Sequence, residues 1–496
     1  MTKFAENGSM KGLLLIFSLL TVLTGRVTDS RSGKPVSGAV VSDGCSCVKT
    51  GRNGEYFIES DSARVVFVVT PSGYRVPFDG RGLFSGYRHI EAGVENYDFT
   101  LEPHSGNSDS YTILLLGDPQ VMSSRPHSGE SWKWVTEKLD SYRKSVDGDL
   151  YQILLGDMVV NEIEVEGRAA SFIETLSSSH INTLCIPGNH DHIQGERNYR
   201  ASTEKYVEHF GPYNYALNIG KVHYVFFDTP SSGEGIIEES YRFLKEDLKF
   251  VPGSVPVVIC THCPMTRCHG GKYPSKELPN YRKMMELLKD RRVSFWYGHI
   301  HFNSFWSYGK SELREWAPGV RSLESNVVGR CGGSWACSGE IGRDGSPRGM
   351  VEMKVERKKI TWRYRSLDEK YPDDFLIIPP GAFKGEGIAD DDALYCNVYA
   401  WDEKWGLPEL WKDGRRIGTL ERCTGEYLAV ADPLYSHWYP IWKAQNIKGF
   451  REEYPRDYDN SHLFKITPHT SLDGTEIRIR DRWGRTLVRR PYDSSR

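Results

Sequence analysis

Beyond residue 23 the sequence has no apolar run of membrane-spanning length, and it has no large excess of charge of either sign. Its 63 Lys and Arg residues are balanced by 66 Asp and Glu residues, which leaves a formal net charge of −3. This balance excludes a general attraction to nucleic acid or to an anionic membrane surface, so no nucleic-acid partner is implied. The chain also lacks a low-complexity linker and a visible internal repeat.

Cysteine is sparse, with 10 residues in 496, which is too few for a dense disulfide framework. Cys331 and Cys337 could close a small loop, but the sequence does not decide the pairing. Three cysteines surround His262, namely Cys260, Cys263 and Cys268. We expect Cys260 to fill the core of a strand, and a separate zinc site made of thiolates is the weaker alternative.

One apolar run does lie near the amino terminus. It extends from Leu13 to Leu23, after Lys11 and shortly before Gly25. The run is short for a membrane span and matches the apolar segment of a secretory signal. We therefore predict a signal peptide over residues 1–25 and export to the periplasm or the extracellular space. An uncleaved anchor or a buried helix is the alternative.

The rest of the chain divides into three zones. Residues 26–105 contain short strand-like runs with turn signals, and Asn53-Gly54 between apolar runs predicts a hairpin. Residues 106–370 alternate apolar strands with helical patterns, which predicts an α/β domain. In this zone helices are predicted at 131–145, 169–177, 239–250 and 281–289, and a hairpin at 215–228. Residues 371–496 lack helical periodicity and have strand-like runs, which predicts a second β-rich domain.

Five short segments of the middle zone carry metal-binding side chains, and most of them directly follow an apolar run. Such runs are typical of buried strands in a largely parallel sheet, so these side chains are expected together at the carboxyl ends of the strands. The segments are Gly117-Asp118-Pro119-Gln120, Gly156-Asp157, Gly188-Asn189-His190-Asp191, Thr261-His262 and Gly298-His299-Ile300-His301. Their oxygen and nitrogen donors suffice for two divalent cations that share a carboxylate. The pattern predicts a dinuclear metal hydrolase.

Taken one at a time, these residues have plainer interpretations. An Asp that follows Gly at a strand end, such as Asp118 or Asp157, is commonly a helix N-cap. Asn189 alone would be a turn residue, and His262 alone would be a hydrogen-bonded histidine of the core. The metal-site hypothesis therefore depends on the order and spacing of all five segments together.

In that order and spacing, the segments between Tyr111 and Leu367 resemble the calcineurin-like metallophosphoesterases. The resemblance implies an α/β fold, a four-layer α/β/β/α sandwich, here flanked by two β-rich domains. It also implies metal-dependent hydrolysis of a small phosphorylated substrate. The first flanking zone resembles the carboxypeptidase regulatory-like (transthyretin-like) β-sandwich, and the last resembles the β-rich carboxy-terminal domain of some exported phosphoesterases.

The resemblance also assigns roles to the donors. Asp157 would bridge two divalent cations, with Asp118, Gln120 and His301 completing the first site and Asn189, His262 and His299 completing the second. His190 would contact phosphate and protonate the leaving oxygen. Asp191 would orient His190.

This chain departs from the family at one donor, because it has Asp118-x-Gln120 where most members have Asp-x-His. An amide oxygen is a harder and weaker ligand than imidazole, which favours manganese, magnesium or ferrous iron over zinc. Versions with Asp-x-Gln resemble the subgroup that acts on nucleotide diphosphates or diesters, so a phosphodiester substrate is slightly favoured. The alternatives are a phosphomonoesterase acting on sugar or nucleotide phosphates, and a non-catalytic surface binding protein whose metal site is degenerate.

Substrate choice is expected in two loops, Thr266–Ser275 and Arg330–Met350, which follow the His262 and His-x-His segments. Lys272 in the first loop could meet a second phosphate, and Trp335 in the second could stack on a base or sugar. Either residue could equally be plain surface. His192, next to the ligand segment, is expected to be exposed. The sequence predicts no oligomeric state.

Overall fold

The structure, a computed structural model, describes residues 21–60, 63–106, 108–124, 126–231, 233, 235–269, 272–332, 342, 344–381, 392–423 and 461–491. Within these residues the chain forms an N-terminal β-sandwich, a central α/β unit with two sheets, and a C-terminal β-rich unit. No helix among the described residues is both long enough and apolar enough to cross a membrane.

The N-terminal unit has seven strands in two sheets, ordered β4-β1-β7 and β3-β2-β5-β6. The strands are β1 (Thr21–Asp29), β2 (Val40–Ser42), β3 (Cys47–Lys49), β4 (Glu55–Ser60), β5 (Val65–Val69), β6 (Tyr87–His89) and β7 (Phe99–Leu101). Residues of β4 alternate between exposed and buried, and the buried Tyr56 and Ile58 join Leu23 and Val66 in one apolar cluster. The two sheets therefore enclose a shared core.

One sequence expectation about this unit is wrong, and another concerns the residues with which it begins. Strands β3 and β4 lie in different sheets, so the Asn53-Gly54 turn joins the two sheets and does not form a hairpin. The signal peptide was expected to extend through residue 25, but β1 begins at Thr21 and residues 21–25 pair with 56–60 of β4. Cleavage after residue 25 would therefore remove the five residues with which β1 begins. Residues 1–20, which hold most of the apolar run, lie outside the described residues.

In the part of the central unit that the structure describes there are 13 strands and seven α-helices. The strands are β8 (Ser110–Leu116), β9 (Asp149–Leu154), β10 (Asn182–Cys185), β11 (Tyr215–Ile219), β12 (Val222–Phe226), β13 (Val257–Cys260), β14 (Thr266–His269), β15 (Lys272–Glu277), β16 (Arg292–Tyr297), β17 (Ser304–Ser307), β18 (Ser322–Val327), β19 (Gly349–Glu356) and β20 (Lys359–Ser366). The helices are α1 (Pro126–Arg143), α2 (Arg168–Ser177), α3 (Tyr199–Ser202), α4 (Glu204–Phe210), α5 (Glu238–Leu248), α6 (Tyr281–Leu287) and α7 (Lys310–Trp316). The four helices and the 215–228 hairpin expected from the sequence are confirmed.

Two large sheets of the central unit have the orders β10-β9-β8-β19-β20 and β11-β12-β13-β16-β18-β17. Strands β8 to β10 are parallel, and so are β12, β13, β16 and β18. In β8, Ile113 and Leu115 pack toward the second sheet, whereas Leu114 and Leu116 pack with residues of α1 and α2. Both faces of the strand are therefore covered, which explains its unbroken apolar run. The resulting layers are the expected α/β/β/α sandwich.

The described residues of the C-terminal unit form eight strands in two four-stranded sheets, ordered β21-β22-β26-β25 and β24-β23-β27-β28. The strands are β21 (Phe375–Ile378), β22 (Leu394–Val398), β23 (Glu409–Lys412), β24 (Arg415–Thr419), β25 (Glu421–Arg422), β26 (Leu463–Ile466), β27 (Thr475–Arg480) and β28 (Thr486–Arg489). The unit docks on the central sandwich through Arg482, whose buried guanidinium contacts Glu324 there and lies 2.6 Å from Asp402 Oδ2. This contact ties the last zone of the chain to strand β18.

Candidate metal centre

The five donor segments meet at one edge of the central unit. They follow the carboxyl ends of β8, β9, β10, β13 and β16, and strands from both large sheets therefore contribute. This edge is where open α/β sheets place their ligand sites. The grouping expected from the sequence is thus present, and the two sheets are those of the expected four-layer sandwich.

The backbone of the donor segments is strained. A positive φ is uncommon for residues other than glycine, and each such residue costs about 1–3 kcal/mol where the surrounding structure enforces it. Five of the seven predicted ligands have this conformation: Asp118 (49°), Gln120 (50°), Asp157 (55°), His299 (73°) and His301 (63°). Strain of this kind collects at functional sites, because packing there holds side chains in fixed directions.

Two glycines next to these donors make room for them. A Cβ atom at Gly188 would lie 2.1 Å from Oδ1 of Asp157, and one at Gly298 would lie 2.7 Å from Oδ2 of Asp118. Both distances are shorter than any real Cβ contact, so a larger residue would displace the carboxylates. Glycine at these positions allows the donor segments to approach each other closely.

One group of donors surrounds Asn189. Its Oδ1 lies 2.8 Å from Nδ1 of His299 and 3.2 Å from Nε2 of His262. Nε2 of His262 also lies 3.2 Å from Oδ1 of Asp157. The opposite nitrogen of His262, Nδ1, donates to the backbone carbonyl of Leu155 at 2.6 Å, which leaves Nε2 directed at the site.

The other group surrounds Gln120. The ligating atoms of Asp118, Asp157 and His301 lie within 4.8 Å of one another. Gln120 Nε2 lies 3.1 Å from Oδ2 of Asp157 and 3.0 Å from Nε2 of His301. The Oε1 atom of Gln120 is buried without a hydrogen-bond partner among the described residues. A half-turn of the amide would exchange the two atoms and point the oxygen at this group.

These contacts fit a pair of divalent cations. The donor set consists of carboxylate, amide and imidazole groups, which bind manganese, magnesium, iron or zinc. With the Gln120 amide turned, its oxygen would face Asp157 and His301, and the three groups could hold one cation. Asp157 has one oxygen directed at each group.

Burial and neighbouring charges both shift the pKa values of the site residues. Burial alone would raise the pKa of Asp157, but the neighbouring His262 outweighs it and holds this pKa far below its ordinary value. Burial would lower the pKa of His262, but the Asp157 carboxylate outweighs that effect and raises the pKa to about 10. Burial and then the charge of His262 lower the pKa of His299 to about 3. Without a cation, His262 therefore carries a proton and His299 does not.

Of the two predicted catalytic residues, Asp191 makes contacts different from those expected. His190 lies beside the donors, and its Nδ1 is 2.7 Å from Oδ1 of Asn161. Asp191 was expected to orient His190, but its buried carboxylate accepts hydrogen bonds from the backbone N–H groups of Met158, Val159 and Gly188 at 2.9–3.1 Å. Asp191 therefore ties two donor loops together, and Asn161 orients the histidine. The sequence reading missed Asn161, although it lies four residues after Asp157 in the same loop.

His192 is a further correction. It was expected to be exposed, but only 11% of its side chain is accessible, and its Nε2 lies 3.0 Å from Oδ2 of the buried Asp228. Its Nδ1 contacts the hydroxyl of Ser202 at 2.9 Å. Burial lowers the pKa of His192, but Asp228 outweighs it and raises the pKa. The side chain is thus held by its contacts with Asp228 and Ser202.

The cysteines near His262 separate into two kinds. Cys260 is fully buried in β13, as expected of a core residue. The sulfur of Cys263 lies within 4.8 Å of ligating atoms of His262 and His299. Burial raises its pKa well above the ordinary value, so the sulfur is a neutral thiol.

The two predicted substrate residues are not tested by these contacts. Lys272 begins strand β15, which pairs with β14, so the expected irregular loop at 266–275 is a β-hairpin. The Lys272 side chain, Trp335 and Cys337 lie outside the described residues.

Family models describe nearly the whole chain. The model "Calcineurin-like phosphoesterase" matches residues 111–303, and the models of the N-terminal and C-terminal parts of calcineurin-like phosphoesterases match residues 21–104 and 324–487. The chain belongs to the calcineurin-like phosphoesterases. As a member of this family it is a metal-dependent hydrolase that acts on phosphoester bonds. The N-terminal family model begins at residue 21, where β1 of this calcineurin-like phosphoesterase also begins.

Several solved structures are similar to this calcineurin-like phosphoesterase at low identity. Purple acid phosphatase PPD1 from yellow lupin (Lupinus luteus) is 15% identical with a TM-score of 0.40, over 71% of this chain and 68% of that one. PhoD is 11% identical with a TM-score of 0.37, over 80% and 92%. The 5'-nucleotidase precursor from Thermus thermophilus is 13% identical with a TM-score of 0.28, over 51% and 54%. No curated protein matches the sequence significantly.

Proposed function

We propose that this calcineurin-like phosphoesterase hydrolyses a small phosphodiester with two divalent cations. The first cation would be held by Asp118, Gln120, Asp157 and His301, and the second by Asp157, Asn189, His262 and His299. The observation that carries the proposal is the position of Asp157. Its Oδ1 lies 3.2 Å from His262 and its Oδ2 lies 3.1 Å from Gln120, so one carboxylate touches both groups of donors.

Two bound cations would lower the pKa of a water molecule and offset the negative charge that builds up on the phosphoryl oxygens. The protein contributes the fixed geometry. Asp191 fastens the loops after β9 and β10 through three backbone N–H groups. The donors therefore need little rearrangement when cations bind, which is the support that such sites require.

His190 supplies the proton chemistry in this proposal. Asn161 Oδ1 is an acceptor, so His190 Nδ1 must carry the hydrogen of their 2.7 Å contact. Nε2 is then the ring atom that takes up and gives up a proton. Burial lowers the pKa of His190, which keeps the ring neutral near pH 7. The neutral ring has a lone pair and no hydrogen at Nε2, so Nε2 must first take up a proton from water before it can donate one to a phosphoryl oxygen or to the leaving oxygen.

Gln120 supports both the metals and the substrate class proposed. Its amide is a hard, neutral donor, which favours manganese, magnesium or ferrous iron over zinc at the first site. The Asp118-x-Gln120 pattern resembles the family subgroup that acts on diesters and nucleotide diphosphates. We therefore place a phosphodiester ahead of a phosphomonoester.

The test compares turnover of bis-p-nitrophenyl phosphate and p-nitrophenyl phosphate by manganese-loaded protein. We expect a higher kcat/KM for the diester, and loss of turnover in Asp157→Asn. Asp147→Asn, which makes the same change at an exposed loop position, is the matched control and should keep full activity. Preference for the monoester would overturn the diester assignment. Absence of turnover with manganese, magnesium, iron and zinc would overturn catalysis and favour a binding protein.

A further inference from the structure

A buried carboxylate connects the His-x-His segment to the last unit of the chain. Asp344 Oδ2 accepts a hydrogen bond from the backbone N–H of Asn303 at 2.8 Å, and Asp344 Oδ1 accepts one from Ser346 N at 3.1 Å. Oδ2 also lies 3.2 Å from Nε2 of His462. Asp344 is 4% exposed and His462 is 1% exposed, so water does not compete for these contacts.

Asn397 completes this group. Its Nδ2 donates to the backbone carbonyl of Asp344 at 2.8 Å, which fixes its Oδ1 as the atom facing His462 Nδ1 at 2.6 Å. Since Oδ1 only accepts, His462 Nδ1 donates to it, and Nε2 faces the Asp344 carboxylate. Asp344, His462 and Asn397 are therefore joined in one buried hydrogen-bonded group. We call Asp344, His462 and Asn397 together the inter-unit clamp.

The clamp acts on backbone two residues from a metal donor. Asn303 follows His301, and its side-chain oxygen accepts from Gly329 N at 2.9 Å. The turn that carries Asp344 packs on the same segment, since a Cβ atom at Gly342 would lie 3.7 Å from the carbonyl oxygen of His301. His301 itself has a φ of 63°. A strained residue keeps such a conformation only where its neighbours are fixed, and the clamp fixes them.

The geometry points to a positioning function for the C-terminal β-rich unit: the inter-unit clamp holds His301 in the orientation that the first cation requires. This inference rests on the proposed function, because it presumes that His301 is a metal donor. Asn397 lies in β22 and His462 immediately precedes β26, so the positioning groups come from one sheet of that unit. The clamp touches no substrate, and its effect passes through the backbone of residues 301–303.

The experiment measures manganese binding and turnover in His462→Leu and His462→Gln. Loss of the clamp should lower the manganese affinity of the first site by about ten- to a hundredfold. This is the usual effect of removing a group that orients a metal ligand. His462→Gln retains one donor for Asp344 and should lose less. Raising the manganese concentration should restore kcat in both variants. A merely structural defect would lower the melting temperature without this recovery.

Trp483→Leu provides the matched control. Its indole N–H donates to the backbone carbonyl of Trp362 at 2.7 Å, so it too joins the C-terminal unit to the central one, but through residues that are not part of the clamp. We expect a lower melting temperature and an unchanged manganese affinity in this variant. Equal loss of manganese affinity in Trp483→Leu and His462→Leu would overturn the specific role of the clamp.

The outcomes separate the two claims. A wild-type protein that binds no manganese, magnesium, iron or zinc contradicts the proposed function itself. If the wild type binds two manganese ions, and the folded His462→Gln and Asp344→Asn variants bind them with unchanged affinity, only the positioning role is overturned. If His462→Leu fails to fold, these two milder variants decide, because circular dichroism can show that they retain the native structure.

Discussion

The Nδ1 atom of His190 lies 2.7 Å from the Oδ1 atom of Asn161, and this contact selects the ring nitrogen that carries hydrogen. We predict that Asn161→Gly lowers kcat about 10- to 100-fold, the effect expected when a group that orients a catalytic residue is lost. KM and manganese affinity should change little, because Asn161 is not a predicted metal donor. Steady-state kinetics with a metal titration would check this.

Glycine is the informative replacement, because Asn161 has a φ of 54° that glycine adopts without strain. Asn161→Asp, which retains an oxygen acceptor and tolerates this conformation, should keep most of the activity. Equal losses in the two variants would show that the loop backbone, and not the acceptor, matters for His190.

Gly188→Ala tests the close approach of the donor segments. The new methyl group would occupy a position 2.1 Å from Asp157 Oδ1, so the carboxylate must move. We predict the loss of at least one bound cation per chain, measured by elemental analysis after gel filtration. Gly129→Ala is the matched control, because a Cβ atom there meets nothing within 4 Å and α1 should tolerate or favour alanine. Full metal content in Gly188→Ala would contradict the assignment of Asp157.

Gln120→His would restore the donor that most of the family has. Gln120 is fully buried with a φ of 50°, a conformation in which histidine is also enriched. We predict that zinc binds the first site at least about tenfold more tightly in the variant, since imidazole is the softer and stronger ligand. Competition between zinc and manganese, followed by calorimetry, measures the change. An unchanged preference would show that the residue at 120 does not contact the cation.

Proton release should accompany cation binding. Asp157 raises the pKa of His262 to about 10 in the absence of a cation, so His262 is protonated at pH 7 and must lose that proton to bind. His299, with a pKa of about 3, is already neutral and contributes none. Manganese affinity should therefore increase about tenfold per pH unit from neutral pH toward pH 10. Calorimetry in two buffers of different ionisation enthalpy should show about one proton released, and a buffer-independent heat would contradict this charge assignment.

The sequence was sufficient for the parts of the site that lie next to apolar strands. Strand β8 and Asp118 could be predicted because a run of buried leucines precedes a polar segment, and parallel strands bring such segments to one edge. The same reasoning could not divide the strands between two sheets. That division depends on which side chains pack face to face, as Ile113 and Leu115 do against the second sheet.

Contacts between segments far apart in the sequence could not be predicted, because they depend on how the chain folds and not on local patterns. Asp191 follows His190 directly in the sequence, which suggested a contact between them. The turn after β10 instead directs the Asp191 carboxylate to backbone N–H groups 32 and 33 residues earlier. Asp344 and His462 are 118 residues apart, and no local pattern links them. The hairpin predicted at Asn53-Gly54 was wrong because these residues determine only the local turn. They do not decide whether the next strand pairs with the preceding one.

The signal peptide over residues 1–25 stays a prediction. The last test concerns the residue at which the folded chain begins. Residues 21–25 pair with β4, and Leu23 is fully buried. Burial of one leucine side chain contributes about 1.5–3 kcal/mol. A chain that starts at residue 26 should therefore melt at a clearly lower temperature than one that starts at residue 21. Mass spectrometry of exported protein should find an amino terminus no later than residue 21, because later cleavage would remove part of β1. Equal melting temperatures, or a native terminus at residue 26, would show that these residues do not stabilise the sandwich.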